Sequence, residues 1–412
     1  MKQLLVHCGQ GAMSAALLED GKLVEYYAER PKEEQAGSIF KGRVVNVLPG
    51  MQAAFVDIGQ SRNAFLYVDG LLPANLEKQP PVKPSISELV REGQEIVVQV
   101  AREATGSKGA KITTHFSLPG RWLVYMPHAD YIGISRKIES AEERARLKEI
   151  GEKLRRPGEG LILRTVAEGA SEEELANDLA ELRELWTSIE ERSKEAAAPS
   201  CLFRDLDMLP RLVRDLFSEQ IDELIIDDRE KLEDVKVLLG QYAPHLANRV
   251  RHYGRTEPLM EAFGVDEALE KSFRPKVWLD NGGYLIVDHT EALTVIDVNT
   301  GKFIGSVDLE QTVYEMNLAA ADEIARLIRL KDIGGIIIVD FIDMAREAHR
   351  RAVVERLEER LKADRTRTIV VGWTQLGLLE ITRKKVRSEG YRLHFEVCPH
   401  CGGTGKQQVL RQ

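Results

Sequence analysis

Two apolar runs with acidic ends constrain this chain more than any other feature. Between Leu293 and Met344 the sequence reads LTVIDVNTGKF, then a long helical pattern, then GGIIIVDFIDM. Runs so rich in β-branched residues are strands. A strand–helix–strand unit of this kind belongs to an α/β sheet, whose strand ends face a site. Asp297 and Asp340 each sit where an apolar run turns polar. Two carboxylates brought together there, with the amide of Asn299 alongside, make an oxygen-rich cradle suited to a hard divalent cation such as Mg²⁺. The alternative is that each aspartate caps the turn or helix that follows it.

With 412 residues the chain has room for roughly three domain-sized units. Hydrophobic residues at 43% and charged residues at 30% describe an ordinary globular protein rather than a disordered or membrane one. No apolar run is long enough to span a bilayer, and MKQLLVHCGQ turns polar too quickly for a secretory signal, so a cytoplasmic location is expected. A formal charge of −9 argues against indiscriminate nucleic-acid binding but leaves room for a local basic groove.

Residues 1–30 alternate short apolar segments, with Asp20-Gly21 as a hairpin turn. From GSIFKGRVVNV onward, strands are expected over 39–47, 52–58, 64–68, 96–102 and 110–117, and strands at this spacing suggest a small barrel. On period-2 alternation Phe55 shares a face with Ala53 and Asp57, and Phe65 with Tyr67. Aromatics near Lys41, Arg43, Arg62, Lys108 and Lys111 are what a platform for single-stranded nucleic acid requires. Composition alone favours the other reading, in which both phenylalanines fill the barrel core.

Further strands are expected over 119–136, then an acidic helix to about residue 155. LILRTVAEG is a strand ending in Arg164 and Thr165, a basic residue and a hydroxyl that suit a phosphate, unless Arg164 serves a surface ion pair. Ser171 and Glu174 form a capping box, and Leu175, Leu179, Leu182, Trp186 and Ile189 mark the packed face of the helix they open. Residues 209–272 alternate helix and strand and are expected to complete the N-terminal sheet. From Phe273 to Leu393 the α/β pattern is clearest: a hairpin, a helix with Val313, Ala320, Ile324 and Leu327 on one face, and Gly334-Gly335 as its stop. The basic residues Arg346, Arg350, Arg351, Arg365, Arg367, Arg383, Lys384, Lys385 and Arg387 follow. Those of 346–362 read as a solvated helix face, and Arg383-Lys384-Lys385 is the stronger candidate for a nucleic-acid contact.

Cys398 and Cys401 have the C-x-x-C spacing of a zinc knuckle, but structural zinc wants four ligands. A second copy of the pair from another subunit completes a Cys₄ site on a two-fold axis. His400 as a third ligand within one chain and a redox dithiol are the alternatives. Cys8 and Cys201, isolated in apolar surroundings, read as core residues.

LTVIDVNTG, GGIIIVDFIDM, GLLEITRKK and CPHCGGTG, in this order and spacing, resemble the catalytic region of the bacterial ribonuclease E/G family. GSIFKGRV, AAFVDIG and NAFL are similar to the S1 RNA-binding barrel of that family, so the resemblance extends through essentially the whole chain. It implies a mixed α+β multidomain fold: a ribonuclease-H-like domain (1–36 and 209–272) interrupted by an S1 (OB-fold) barrel (37–118) and a 5′-sensor region (119–208), then a DNase-I-like α/β domain (273–393) and a zinc link and tail (394–412). The implied activity is Mg²⁺-dependent endonucleolytic cleavage of single-stranded RNA to 5′-phosphate and 3′-hydroxyl ends in RNA processing and decay. By the same resemblance Asp297 and Asp340 hold Mg²⁺ and Asn299 supports them, while Phe55, Phe65 and Lys108 hold RNA. Gly120, Val124, Arg164 and Thr165 form a pocket for a 5′-monophosphate, which Arg136 and Arg367 buttress, and Cys398 and Cys401 share Zn²⁺ across a homodimer. Asp343 is expected as a cap or outer residue. The chain ends soon after Cys401, which resembles a compact ribonuclease G type. An RNA-binding assembly protein with a vestigial metal site is the alternative, and a DNA nuclease is a more distant one.

Overall fold

The computed structural model describes the chain except residues 10–12, 29–35, 74–79, 81, 105–107, 291, 304–307, 385–397, 399–400 and 402–412, and the side chains of 241–242. Lys385, Arg387 and His400 lie outside the described residues. The backbone gathers into two units, one of Met1–Ala28, Asp222–Asp228 and His252–Gln412, the other of Glu29–Ile221 and Arg229–Arg251. Among the described residues no helix is long and apolar enough to cross a membrane.

The first unit holds two sheets. In one, Lys2–Cys8, Met13–Glu19 and Lys22–Ala28 run antiparallel in succession, and Glu223–Ile226 lies parallel beside Lys2–Cys8. Asp20 and Gly21 both take positive φ, 49° and 77°, as a two-residue hairpin demands. Leu5, Ala16, Leu18 and Leu23 share a core with Leu259, Val265, Leu269 and Phe273.

The other sheet is six-stranded, in the order Lys276–Trp278, Tyr284–His289, Leu293–Asn299, Gly335–Asp340, Leu379–Arg383, Thr368–Trp373. Leu285, Val287, Ile296, Val298, Ile337 and Val339 form its core with Val313, Ala320, Ile324 and Leu327 of helix Leu309–Leu330 and with Val353 and Leu357 of helix Glu347–Leu361. Because side chains alternate along a strand, Asp297, Asn299 and Asp340 emerge on the opposite face. The long helix ends at Leu330, before the glycines expected to stop it. The chain reverses at Asp332, whose φ of 49° a short polar side chain tolerates.

In the second unit Ile39–Leu48, Ala53–Asp57, Ala64–Tyr67, Lys111–Thr113 and Glu95–Arg102 pair in that order, and the last strand pairs back to the first, which closes a five-stranded barrel. A four-stranded sheet follows, built from Leu118–Pro119, Leu123–Met126, Ile132–Ile134 and Gly160–Leu163. Helix Glu172–Glu195 covers it, opened by the Ser171/Glu174 capping box and packed through Leu175, Leu179, Leu182, Trp186 and Ile189. Helices Met208–Asp215 and Arg229–Tyr242, which the sequence groups with the first sheet, pack on each other in this second unit. Cys201, read as a core residue, is exposed, because Ser200–Phe203 is an edge strand that turns it outward; Cys8 is half-buried.

Candidate active site

Strands Leu293–Asn299 and Gly335–Asp340 are adjacent and parallel, in a register that sets Asp297 directly beside Asp340. A parallel pair needs a crossover, and helix Leu309–Leu330 supplies it. Neighbouring strands lie about 4.8 Å apart, so both carboxylates leave one sheet face within reach of one ion. Asn299 Nδ2 donates to Asp297 Oδ2 at 2.7 Å. Its amide nitrogen therefore orients Asp297. Burial, and then the negative charges of Asp297 and Asp343, push the Asp340 carboxyl above its usual range. Uncompensated negative charge of this kind is what a cation relieves. Among the described residues no three acidic, imidazole or thiol groups converge to form a closed metal cage. Mg²⁺ asks for less, since one or two carboxylates suffice when water and phosphate oxygens complete its shell, so the residues present fit it. Asp343 is exposed, and the N–H groups of Ala345 and Arg346 donate to Glu310 rather than to it.

On the barrel, Phe55 and Phe65 are register partners and half-buried, their rings edge to face at 5.9 Å and 67°. The barrel core takes their neighbours Ala54, Val56, Ala64 and Leu66. Both phenylalanines thus lie on the outer face, against the reading from composition, because strict alternation had already given the inner positions to smaller residues. Lys111, beside Phe65, and Lys108 are exposed. Lys41 and Arg43 are ion-paired with Glu95 at 3.1 and 2.9 Å.

Arg164 directly follows strand Gly160–Leu163 and is held in a half-buried ion pair. Its Nη1 donates to Gly120 O at 2.6 Å and its Nη2 pairs with Asp215 at 2.6 Å. Burial alone would raise Asp215, but Arg214 and Arg164 outweigh it and hold the carboxyl below its usual range. The Thr165 hydroxyl meets that of Ser135 at 2.7 Å, next to exposed Arg136. Val124 is half-buried in strand Leu123–Met126. Arg367 belongs to the first unit, where it is exposed just before strand Thr368–Trp373.

Several of the C-terminal basic residues are committed to acidic partners, while Arg346, Arg351 and Arg367 are exposed. Arg383, expected to face nucleic acid, is buried and paired with Asp364 at 2.7 Å and Asp332 at 2.5 Å. Arg365 pairs with Glu25, and Arg356 and Arg360 each reach Asp322 at 2.7 Å. A run of basic residues in a strand alternates sides, so half of it must turn inward and find carboxylates. Cys398 is exposed and Cys401 half-buried, and most of the residues around them are outside the described set.

The profile of the Ribonuclease E/G family matches residues 117–386. Ribonuclease G of Salmonella typhimurium is 41% identical over 415 residues, 99% of this chain and 85% of that protein. Ribonuclease G of Haemophilus influenzae is 42% identical over 415 residues, 99% of this chain and 84% of that protein. Ribonuclease E of Nostoc sp. is 38% identical over 408 residues, 98% of this chain and 58% of that protein. The chain belongs to the ribonuclease E/G family.

The part of the chain that matches the ribonuclease E/G profile contains two residues with positions of consequence that the sequence reading passed over. Asn317, fully buried on the long helix, donates through Nδ2 to Ile342 O at 2.8 Å and accepts from Ile342 N at 3.1 Å. It fixes the chain just beyond Asp340. Its signal was present, since Asn317 interrupts the apolar face between Val313 and Ala320, where a polar residue needs a partner. Asp178 accepts the N–H groups of Arg121, Trp122 and Leu123 at 3.0, 2.8 and 3.1 Å. Burial raises its carboxyl against the pull of those three donors. A Cβ on Gly120 would meet the same carboxylate at 2.4 Å, so the loop carrying the Arg164 acceptor is closed tightly over Asp178. Nothing local in the sequence announces that contact.

Proposed function

We propose that this chain is a Mg²⁺-dependent endoribonuclease that cleaves single-stranded RNA to 5′-phosphate and 3′-hydroxyl ends, favours 5′-monophosphorylated substrates, and acts in cytoplasmic RNA processing and decay. The observation that carries the reading is the register pairing of Asp297 with Asp340 on the open face of a parallel strand pair. These two carboxylates would hold the cation, and Asn299 keeps Asp297 turned toward it. When bound, Mg²⁺ supplies neutralisation of charge at the phosphorus and a more acidic water. Asp343 lies outside the ligand pair and adds negative potential.

Phe55 and Phe65 offer ring surfaces to bases, and exposed Lys108 is included for phosphate through the family resemblance. Arg164, supported by Gly120, and Thr165 suit a terminal phosphate monoester, with Val124 and Arg136 in the surrounding chain and Arg367 included through the family resemblance. A phosphate there would compete with Asp215 for the guanidinium. Cys398 and Cys401 supply half of a tetrahedral zinc site, which a second subunit would complete.

The test is cleavage of a 5′-monophosphorylated A/U-rich RNA and its 5′-hydroxyl counterpart. Wild type should cut both in Mg²⁺, the first faster, and stop on chelation. Asp297→Asn and Asp340→Asn should each abolish cutting. Wild type that fails to cut, or variants that keep full activity, would overturn the reading. For the zinc link, Cys398→Ser with Cys401→Ser should turn a zinc-containing dimer into a monomer by light scattering. A variant that stays dimeric contradicts the shared site.

A further inference from the structure

The open face of the six-stranded sheet carries an aromatic and basic cluster that none of the roles above uses. Strand registers align Trp278, Tyr284 and Asn299 in one row across three strands, and Lys276, Ile286, Asp297 and Asp340 in the next row. Register partners share a face, so Trp278 and Tyr284 stand on the same side of the sheet as the carboxylates. Trp278 is two strands from Asn299, about 10 Å along the sheet.

Trp278 is 52% exposed, an unusual position for so large an aromatic surface. Its ring meets Tyr284 edge to face at 5.3 Å. The Lys276 ammonium rests 4.2 Å from the Trp278 ring and 3.6 Å from the Tyr284 ring. Among the described residues no carboxylate pairs with Lys276. Gly301, at φ 58°, brings the turn after Asn299 against Gly282 and Tyr284, with no room for a Cβ. The cluster is therefore a braced part of the sheet, and its cation rests against two rings.

We propose that Trp278, Tyr284 and Lys276 form a nucleotide subsite beside the catalytic carboxylates. There a base of the single-stranded RNA substrate, close to the scissile phosphate, stacks on Trp278 while Lys276 meets the adjoining phosphate. The proposal rests on the endoribonuclease reading and deepens it. Single-stranded RNA suits the patch because every base presents a π-face and every linkage a negative charge, and both complements are present here. Continuity with the row that holds Asn299 and Asp297 places the subsite where the substrate must pass.

The experiment uses oligoribonucleotides with one cleavage site and an abasic residue moved through the positions around it. Stacking is worth about tenfold in affinity, so Trp278→Ala should raise KM by about that factor with kcat retained, and Trp278→Phe should restore most of it. One abasic position should cost wild type about tenfold and Trp278→Ala nothing. Affinity of Asp297→Asn protein for the same RNAs, with and without Trp278→Ala, reads the subsite without chemistry. A loss of affinity there supports the subsite even if wild type proves not to cleave. Normal cleavage by wild type with equal abasic penalties in both proteins overturns the subsite alone. Unchanged RNA kinetics with altered self-association would assign the patch to a protein contact and also overturn it.

Discussion

Replacing Asn317 tests whether the long helix positions the strand end that carries Asp340. In the folded chain its amide makes two hydrogen bonds to the backbone of Ile342, at 2.8 and 3.1 Å, and its side chain is 0% exposed. Asn317→Ala leaves that N–H and C=O unmatched, each at a cost of about 1–3 kcal/mol. A stability loss of roughly 3 kcal/mol is therefore expected, read as a lower denaturant midpoint with an unchanged slope. Ile342 is two residues past Asp340, so the loss should also reach the proposed cation site. Removing the partner that orients a ligand segment typically weakens metal affinity about 10–100-fold. The assay is cleavage rate against Mg²⁺ concentration, at a temperature where the variant stays folded. The half-saturating Mg²⁺ should rise within that range and excess Mg²⁺ should recover much of the rate. A destabilised variant with a wild-type Mg²⁺ curve would refute positioning, and an undestabilised one would refute the hydrogen-bonded clamp itself.

Two other perturbations follow from the same geometry. Asp178→Ala should bring the rate on 5′-monophosphorylated RNA down to that on 5′-hydroxyl RNA, whose own rate is unchanged, because the loop ending in the Gly120 acceptor of Arg164 loses its anchor. Asp178→Asn, which can still accept from Trp122 and Leu123, should be intermediate, and equal loss on both substrates would make Asp178 merely structural. Lys331 is fully buried over Phe273, and burial, then Arg326, holds its ammonium down to about 8. A folded value below that of the unfolded chain means stability is present at high pH and lost as pH falls from about 10 to about 8. Lys331→Met should be more stable at pH 7 by on the order of 3 kcal/mol and should lose that slope between pH 8 and 10. Melting curves with parallel pH dependence in the two proteins would contradict it.

Much of the fold was legible because its segments follow simple periods. The barrel strands, the Asp20-Gly21 turn, the Ser171 cap and the buried face of helix Leu309–Leu330 lie close to where alternation, turn chemistry and 3.6-residue spacing put them. The strand-end aspartates were visible for the same reason. What local pattern could not supply was pairing. The register that sets Asp297 beside Asp340 and the grip of Asp178 on residues 121–123 depend on segments distant in sequence. Charge runs misled for a related reason: Arg383 sits in a basic cluster along the chain but faces Asp364 and Asp332 in space. Asn317 lay between these cases, flagged by its apolar neighbours but without a partner until the fold supplied Ile342.

The central claim is that Asp297 and Asp340 together hold a hard divalent cation. Mn²⁺, which accepts the same oxygen ligands, reports on such a site by electron paramagnetic resonance. Wild type should bind Mn²⁺ at a site from which Mg²⁺ displaces it, and the Asp297→Asn, Asp340→Asn double variant should lose that binding while keeping its fold. Displaceable Mn²⁺ binding of unchanged strength in the double variant would contradict the account.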